Sequence, residues 1–198
     1  MIVSGDFIWL HFPKTGGTAL EAAIKKLRPD AVADPRDYKN VIWHDGIARR
    51  SRRDPGFDPA GKRILCGFRR LPHWLLSRVH YEAARSRGIA PPARELLLAG
   101  RFHNAAGGVQ HADVIAGEFA TPAPDFWLRP ENLKDDLAAA LDVPLADVVA
   151  ALTRNNEARI DYIRDMGFWF TSAELRGLYS ANPLWASIEE KAYGSLLV

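Results

Sequence analysis

The residues best suited to chemistry lie near the start of the chain, in the segment Pro13-Lys14-Thr15-Gly16-Gly17-Thr18. Lys14 carries a full positive charge, Thr15 and Thr18 carry hydroxyl groups, and the paired glycines let a ligand approach the backbone closely. Groups of these kinds bind phosphate and sulfate esters. The segment therefore predicts an anion-binding loop, and the alternative is an ordinary strand-to-helix turn with a capping threonine.

The elements on either side of this loop support the first interpretation. Residues 7–12 are mostly apolar and predict a buried strand, whereas residues 19–27 predict a helix. A loop between a strand and a helix N-terminus points its amides, and the helix dipole, at a bound anion. An ATP-binding P-loop places its lysine after the last glycine, but Lys14 precedes both glycines.

A second pair of candidate binding residues is Arg69 and Ser77. Arg69 follows residues 64–68, which predict a strand, and Ser77 lies about two turns into a helix predicted over residues 73–85. An arginine and a hydroxyl in this arrangement could bind a second phosphate by charge-assisted and neutral hydrogen bonds. The alternative is that Ser77 is an ordinary helix residue.

A candidate general base follows the apolar segment 41–44, which predicts a short strand that ends at His44. A neutral imidazole near pH 7 suits proton abstraction, and Asp45 is either a second candidate base or a residue that orients His44. The alternative for His44 is a strand-end histidine that is bonded to backbone. His11, inside the first strand, is interpreted as structural.

The order of the elements predicts the fold class. Strands near 7–12, 41–44, 64–68 and 126–128 alternate with helices, which include those predicted over 131–141, 172–180 and 183–196. This alternation predicts an α/β protein, a P-loop-like three-layer fold whose central, mostly parallel sheet is flanked by helices. Ligands of such sheets bind at the carboxyl ends of the strands, where the loop, His44 and Arg69 are expected to converge. The length fits a single domain over 1–198.

Composition narrows the class of partner. The formal charge is only +2, so general attraction to nucleic acid or to a membrane surface is not expected. Residues 45–62 predict a loop, and its arginines (Arg49, Arg50, Arg52 and Arg53) either face solvent or attract an anionic substrate.

The single Cys66 forms no internal disulfide and fits a reducing compartment. No signal-peptide pattern and no apolar run of about 20 residues is present, so we expect a cytoplasmic protein. The histidines and the cysteine lack metal-ligand spacing, and no metal is expected.

Together, these motifs resemble the sulfotransferase superfamily, and most closely its carbohydrate-modifying and bacterial branches. Residues 10–18 resemble the family's 5'-phosphosulfate loop, residues 68–81 its 3'-phosphate motif, and residues 129–137 a later signature ahead of a helix. The family usually has Asp-Pro directly after the motif arginine, and Arg70-Leu71 stand there in this chain. A second arginine that is common in the motif is replaced by Trp74.

The resemblance implies transfer of a sulfuryl group from 3'-phosphoadenosine-5'-phosphosulfate to a hydroxyl or amine of a small-molecule or saccharide acceptor. It implies that Arg69 and Ser77 hold the 3'-phosphate and that His44 accepts the acceptor's proton. The 5'-phosphate would be held by the loop residues Lys14, Thr15, Gly16, Gly17 and Thr18. Lys14 would also stabilise the charge that develops on the departing phosphate, so no metal is required.

Two other functions stay open on the sequence. One is an ATP-magnesium phosphotransferase, in which Asp45 would follow an apolar strand as the magnesium ligand; its difficulty is the misplaced lysine. The other is a non-catalytic relative that binds the nucleotide without turnover, an alternative that the changes at Arg70 and Trp74 keep open.

Overall fold

The computed structural model describes residues 1–37, 41–85, 93–104, 106–152 and 162–198. The chain divides into a first unit, residues 1–68 and 118–157, and a second unit, residues 69–117 and 158–198. The strands of the described residues are β1 (Ile2–Val3), β2 (Phe7–Leu10), β3 (Val32–Ala33), β4 (Arg63–Gly67), β5 (Arg101–His103), β6 (Val109–His111) and β7 (Phe126–Leu128). The α-helices there are α1 (Gly17–Leu27), α2 (Ile47–Arg53), α3 (Leu71–Arg85), α4 (Arg94–Leu98), α5 (Ala112–Phe119), α6 (Leu133–Leu141), α7 (Leu145–Ala151), α8 (Met166–Trp169), α9 (Ser172–Ser180) and α10 (Pro183–Tyr193). Short 3₁₀ helices cover Ile42–His44 and Pro130–Asn132.

A mixed sheet with the order β3-β1-β2-β4-β7 forms the centre of the first unit. Strands β2, β4 and β7 run parallel, with Leu10 opposite Cys66 and Cys66 opposite Trp127, whereas β1 is antiparallel to both of its neighbours. Every residue of β2 is buried, as expected for a strand that is covered on both faces. The predicted α/β class and the parallel arrangement of these three strands are confirmed.

Helices of the first unit pack against this sheet through small and aliphatic side chains. From α1 the buried residues include Leu20, Ala23 and Ile24, and they join Trp9 and Leu65 of the sheet in one apolar cluster. Helices α6 and α7 add further members to the same cluster: Leu137, Ala140, Leu141, Val148 and Ala151. Burial of this cluster holds the N-terminus of α1 at the end of β2.

Two predictions for this unit are wrong. The predicted strand 41–44 is a 3₁₀ helix at Ile42–His44, and Trp43 is its one buried residue. A four-residue apolar run has too few positions for its periodicity to distinguish a strand from a helical turn. In addition, β2 pairs with β1 on one side and with β4 on the other, so no position beside β2 remains for a strand at residues 41–44. Residues 47–53, predicted as part of a loop, form helix α2, in which Arg49 and Arg50 are held by carboxylates.

The second unit contains α3, α4, the antiparallel pair β5–β6, and the C-terminal helices. At its core, the fully buried ring of Trp74 lies 4.6 Å from that of Trp185 and 5.4 Å from that of Phe102, measured between ring centroids. The helices predicted over 73–85, 172–180 and 183–196 are confirmed, with the last ending at Tyr193. Within the described ranges, no helix is long and apolar enough to span a bilayer.

Candidate functional site

The predicted anion-binding loop joins the end of β2 to the start of α1. The φ angles of Lys14 and Gly16 are positive, at 68° and 85°, and Thr15 lies between them. The carbonyl of Gly16 accepts hydrogen bonds from the amides of Ala19 and Leu20, which closes the first turn of the helix. A left-handed residue next to a right-handed one directs successive backbone amides into one concavity.

The backbone amides of this loop are hydrogen-bond donors that the described protein leaves available to a ligand. Among the described residues, no hydrogen-bond acceptor is found for the amides of Thr15, Gly16, Gly17 and Thr18, and no side chain caps helix α1. Amides at a helix N-terminus carry partial positive charge that favours an anion. Lys14 is half-buried at the edge of this group, in a conformation that costs a non-glycine residue about 1–2 kcal/mol.

The side chain of Thr15 is directed into the protein. Thr15 is fully buried, and its Oγ1 donates a hydrogen bond of 2.8 Å to the carbonyl of Phe12. A Cβ atom on Gly67 of the neighbouring strand would lie 2.4 Å from that oxygen. The hydroxyl of Thr15 is therefore used to hold the loop together, and the predicted contact of Thr15 with an anion would have to come from its backbone amide. Thr18, in contrast, is exposed in the first turn of α1.

His11 is the residue whose role in the loop was least visible in the sequence. Its ring lies against the N-terminus of α1, where a Cβ atom on Gly17 would be only 1.9 Å from Nε2. The ring also stacks on Trp9, with a centroid distance of 5.0 Å, and contacts His44 at 4.5 Å. Gly17 is therefore required because His11 occupies the space of a side chain.

The burial of His11 keeps its ring neutral. Burial first, and then the nearby His44, lower the pKa of His11 to about 2. Its Nδ1 is buried and has no hydrogen-bond partner in the described part of the chain. A neutral imidazole contributes no positive charge to the N-terminus of α1, so His11 supports the loop by packing against Gly17.

His44 lies beside the end of β2 although it does not belong to a strand. Its Nδ1 is 2.8 Å from the carbonyl oxygen of His11. Because a carbonyl only accepts hydrogen bonds, Nδ1 must carry the hydrogen, and in the neutral ring Nε2 then has the lone pair. This is the tautomer that a general base needs, and the contact also fixes the orientation of the ring.

Asp45 is paired with arginines. The residue is fully buried, and its carboxylate lies 3.3 Å from Arg53 and 3.9 Å from Arg50. Burial raises the pKa of Asp45, and the positive charges of the arginines oppose this effect. Neither carboxylate oxygen makes a hydrogen bond within the described residues.

The arginines of residues 49–53 were predicted either to face solvent or to attract an anionic substrate, but two of them, Arg49 and Arg50, bind carboxylates of the protein itself. Arg50 is buried, bonds both oxygens of Asp34, and donates to the carbonyl of Ile42 at 2.9 Å. Arg49 pairs with Glu118 at 2.7 Å. These contacts tie α2 to the 3₁₀ helix that carries His44, so part of the cluster has a structural role.

Arg69 and Ser77 belong to the second unit. The carbonyl of Arg69 accepts a hydrogen bond of 3.2 Å from Nε1 of Trp185. The Nε atom of Arg69 is buried and has no hydrogen-bond partner among the residues that the structure describes. Ser77 is half-buried in the second turn of α3.

The two departures from the family motif have structural roles in this chain. Arg70 pairs with the buried Glu189 at 3.1 Å and donates to the carbonyl of Ser195 at 2.8 Å. Trp74 is the centre of the aromatic core of the second unit. The later signature also has a structural basis, because Asp136 accepts hydrogen bonds from the backbone and the guanidinium of Arg129.

The comparisons with known proteins add no identification. Searches against family models, curated proteins and solved structures found no match for this chain. In the part of the chain that the structure describes, no group of three or more histidine, cysteine, aspartate or glutamate residues could hold a metal ion.

Proposed function

We propose that this chain is a sulfotransferase that moves a sulfuryl group from 3'-phosphoadenosine-5'-phosphosulfate to a hydroxyl or amine of a small molecule or saccharide. The observation that carries the proposal is the run of amides from Thr15 to Thr18 that lack an acceptor in the described chain, beside Lys14 and at a helix N-terminus. The sheet with parallel β2, β4 and β7 is compatible with a P-loop-like three-layer fold.

Under this proposal the donor is held at both of its phosphates. The loop amides and Lys14 bind the 5'-phosphate, which suits backbone donors at a helix N-terminus. Arg69 and Ser77 bind the 3'-phosphate through charge-assisted and hydroxyl hydrogen bonds. The Nε atom of Arg69, which has no partner among the described residues, supports this role because a buried guanidinium donor needs an acceptor.

The proposed reaction balances without a metal. Nε2 of His44 accepts the proton of the acceptor group, whose oxygen or nitrogen forms a new bond to sulfur. The bond between sulfur and the 5'-phosphate oxygen breaks, and adenosine 3',5'-bisphosphate leaves with the additional negative charge. Lys14 and the loop amides stabilise that charge more strongly in the transition state than in the bound donor.

Ligand binding separates this proposal from the ATP-magnesium phosphotransferase. We expect adenosine 3',5'-bisphosphate to raise the melting temperature without magnesium, and ATP with magnesium to have no such effect. The contacts of Asp45 with Arg50 and Arg53 argue against its use as a magnesium ligand, and the segment before it is not a strand. If ATP with magnesium raises the melting temperature and adenosine 3',5'-bisphosphate does not, the phosphotransferase is favoured over the sulfotransferase.

Lys14→Ala tests the charge-stabilising role. We expect the rate of transfer from labelled donor to fall on the order of 10²-fold or more, because a charged donor to the leaving group is removed. Lys26→Ala is the matched control, since it removes the same charge from the exposed end of α1. Equal rates for the two variants would exclude Lys14 from the chemistry.

His44→Ala tests the general base. Its rate should also fall on the order of 10²-fold, while the affinity for adenosine 3',5'-bisphosphate stays close to that of the unaltered chain. Full activity of this variant would remove the base assignment and leave the donor site intact. If the unaltered chain binds the nucleotide and transfers sulfate to none of a panel of hydroxyl and amine acceptors, the non-catalytic alternative is favoured.

A further inference from the structure

The turn that carries Arg69 is held by the C-terminal helix of the second unit. On one side, Nε1 of Trp185 donates a hydrogen bond of 3.2 Å to the carbonyl of Arg69 itself. Two residues further along the chain, the amide of Leu71 donates a hydrogen bond of 2.8 Å to Glu189. Helix α10 therefore contacts the backbone at Arg69 and again at the first residue of α3.

Glu189 has the contacts expected of a carboxylate that must remain buried. It is completely inaccessible to solvent, and it accepts hydrogen bonds from Leu71, from Arg70 at 3.1 Å and from the Tyr179 hydroxyl at 2.7 Å. A buried carboxylate is strongly unfavourable unless it is paired and hydrogen-bonded. Because Glu189 accepts from the first amide of α3, it satisfies one of the donors that a helix N-terminus leaves without a partner.

The helix that supplies both contacts is itself held at its N-terminus. The carboxylate of Asp113 accepts hydrogen bonds from the amide of Leu184, at 2.9 Å, and from the amide of Trp185, at 2.8 Å. The ring of Trp185 is fully buried against Trp74 of α3. Because both the amide and the ring of Trp185 are held in place, its hydrogen bond to the carbonyl of Arg69 restricts where the backbone of Arg69 can lie.

We propose that Trp185 and Glu189 are positioning residues for the 3'-phosphate group of the donor, because they hold the Arg69 turn in the conformation that binds phosphate. This inference rests on the proposed function. Trp185 holds the carbonyl of Arg69, and Glu189 holds the start of α3. Preorganisation of this kind raises affinity by removing the ordering cost of binding, and here the benefit is confined to the 3'-phosphate.

The test compares two nucleotides that differ only in that group. Adenosine 3',5'-bisphosphate and adenosine 5'-monophosphate are titrated into the full chain. The dissociation constant of the monophosphate divided by that of the bisphosphate gives a ratio that reports the 3'-phosphate contact alone. Arg69→Ala sets the scale, with an expected loss of about 10-fold or more in the ratio, since a charged hydrogen bond is removed. Trp185→Phe and Glu189→Gln, which keep most of the packing, should each lower the ratio by about 3-fold to 10-fold and leave the monophosphate constant unchanged.

Tyr179→Phe is the matched control for stability. It removes one hydrogen bond from Glu189 and leaves the contact with Leu71 in place, so it should lower the melting temperature without changing the ratio. An unchanged ratio in both Trp185→Phe and Glu189→Gln, with a reduced ratio in Arg69→Ala, would overturn the positioning roles alone. An equal loss in Tyr179→Phe would overturn them too, as an effect of stability. Absence of any preference for the bisphosphate in the unaltered chain would instead overturn the proposed donor and the inference together.

Discussion

Gly17→Ala is the substitution for which the structure makes the sharpest prediction. The new methyl group would lie 1.9 Å from Nε2 of His11 and 2.2 Å from its Cδ2, far inside contact distance. The imidazole has little room to yield, because Trp9 stacks on it at 5.0 Å and His44 contacts it at 4.5 Å. We therefore expect the substitution to displace His11 and, through its carbonyl, His44.

The expected loss of stability follows from the size of this clash. Overpacking by one carbon in a closed site costs about 1–3 kcal/mol. In a helix interior, alanine is favoured over glycine by about 0.5–1 kcal/mol, and at the first residue of α1 by less than that. This preference therefore offsets only part of the overpacking cost. A net loss of about 2 kcal/mol corresponds to a decrease of about 4–8 °C in Tm for a chain of this size.

A double-mutant cycle isolates the contact. Urea denaturation is measured for the unaltered chain, Gly17→Ala, His11→Ala and the double variant, and removal of the ring should make Gly17→Ala nearly neutral. The coupling energy between the two positions should then be at least about 1 kcal/mol. Gly177→Ala is the control, because that glycine lies in helix α9 with no heavy atom near its Cβ position, and it should be neutral or stabilising. Additive effects at positions 11 and 17 would refute the argument.

Three further predictions concern stability. Arg50→Ala should cost about 1–3 kcal/mol in urea denaturation because it removes the charged hydrogen bonds to Asp34, although the amino group of Met1 still pairs with that carboxylate, whereas Arg52→Ala, on the exposed side of the same helix, should change stability by less than about 0.5 kcal/mol. Because burial raises the pKa of Asp45 in the folded protein, its contribution to stability is fully present below the pKa of the unfolded chain and is lost as the pH rises through the folded value. Asp45→Asn should therefore become more stable relative to the unaltered chain as the pH rises from about 4; a constant difference would contradict this. Thr171→Ala should cost about 1 kcal/mol, since it removes the capping box of α9, and an unchanged denaturation midpoint would count against that contact.

The segments with strong local signals were predicted well. Helix α9 has the bounds expected from its sequence, and the capping box between Thr171 and Glu174 shows why its start was well defined. The strand of residues 126–128 and the strand near 64–68 were also located correctly, because their apolar runs are bounded by turn residues. In these segments local preference and tertiary packing favour the same structure.

The segments with weak local signals were either missed or predicted with the wrong structure. Strands β1 and β3 are each two residues long and exist only because they pair with each other and with β2. The 3₁₀ helix at Ile42–His44 was predicted as a strand, yet it still brings His44 to the end of β2. That proximity depends on Arg50, Asp34 and the carbonyl of His11, which no local pattern connects.

The sequence by itself predicted the strand, the glycine-containing loop and the helix around residues 13–18, and from them an anion-binding loop, because apolar runs and glycines act on the backbone locally. Only the tertiary structure decided how that loop is supported: the ring of His11 against Gly17, the hydroxyl of Thr15 directed at Phe12, and the tautomer of His44. The physical reason is the range of the interactions. Backbone preference acts over a few residues, whereas these contacts depend on which strand and helix are packed beside the loop.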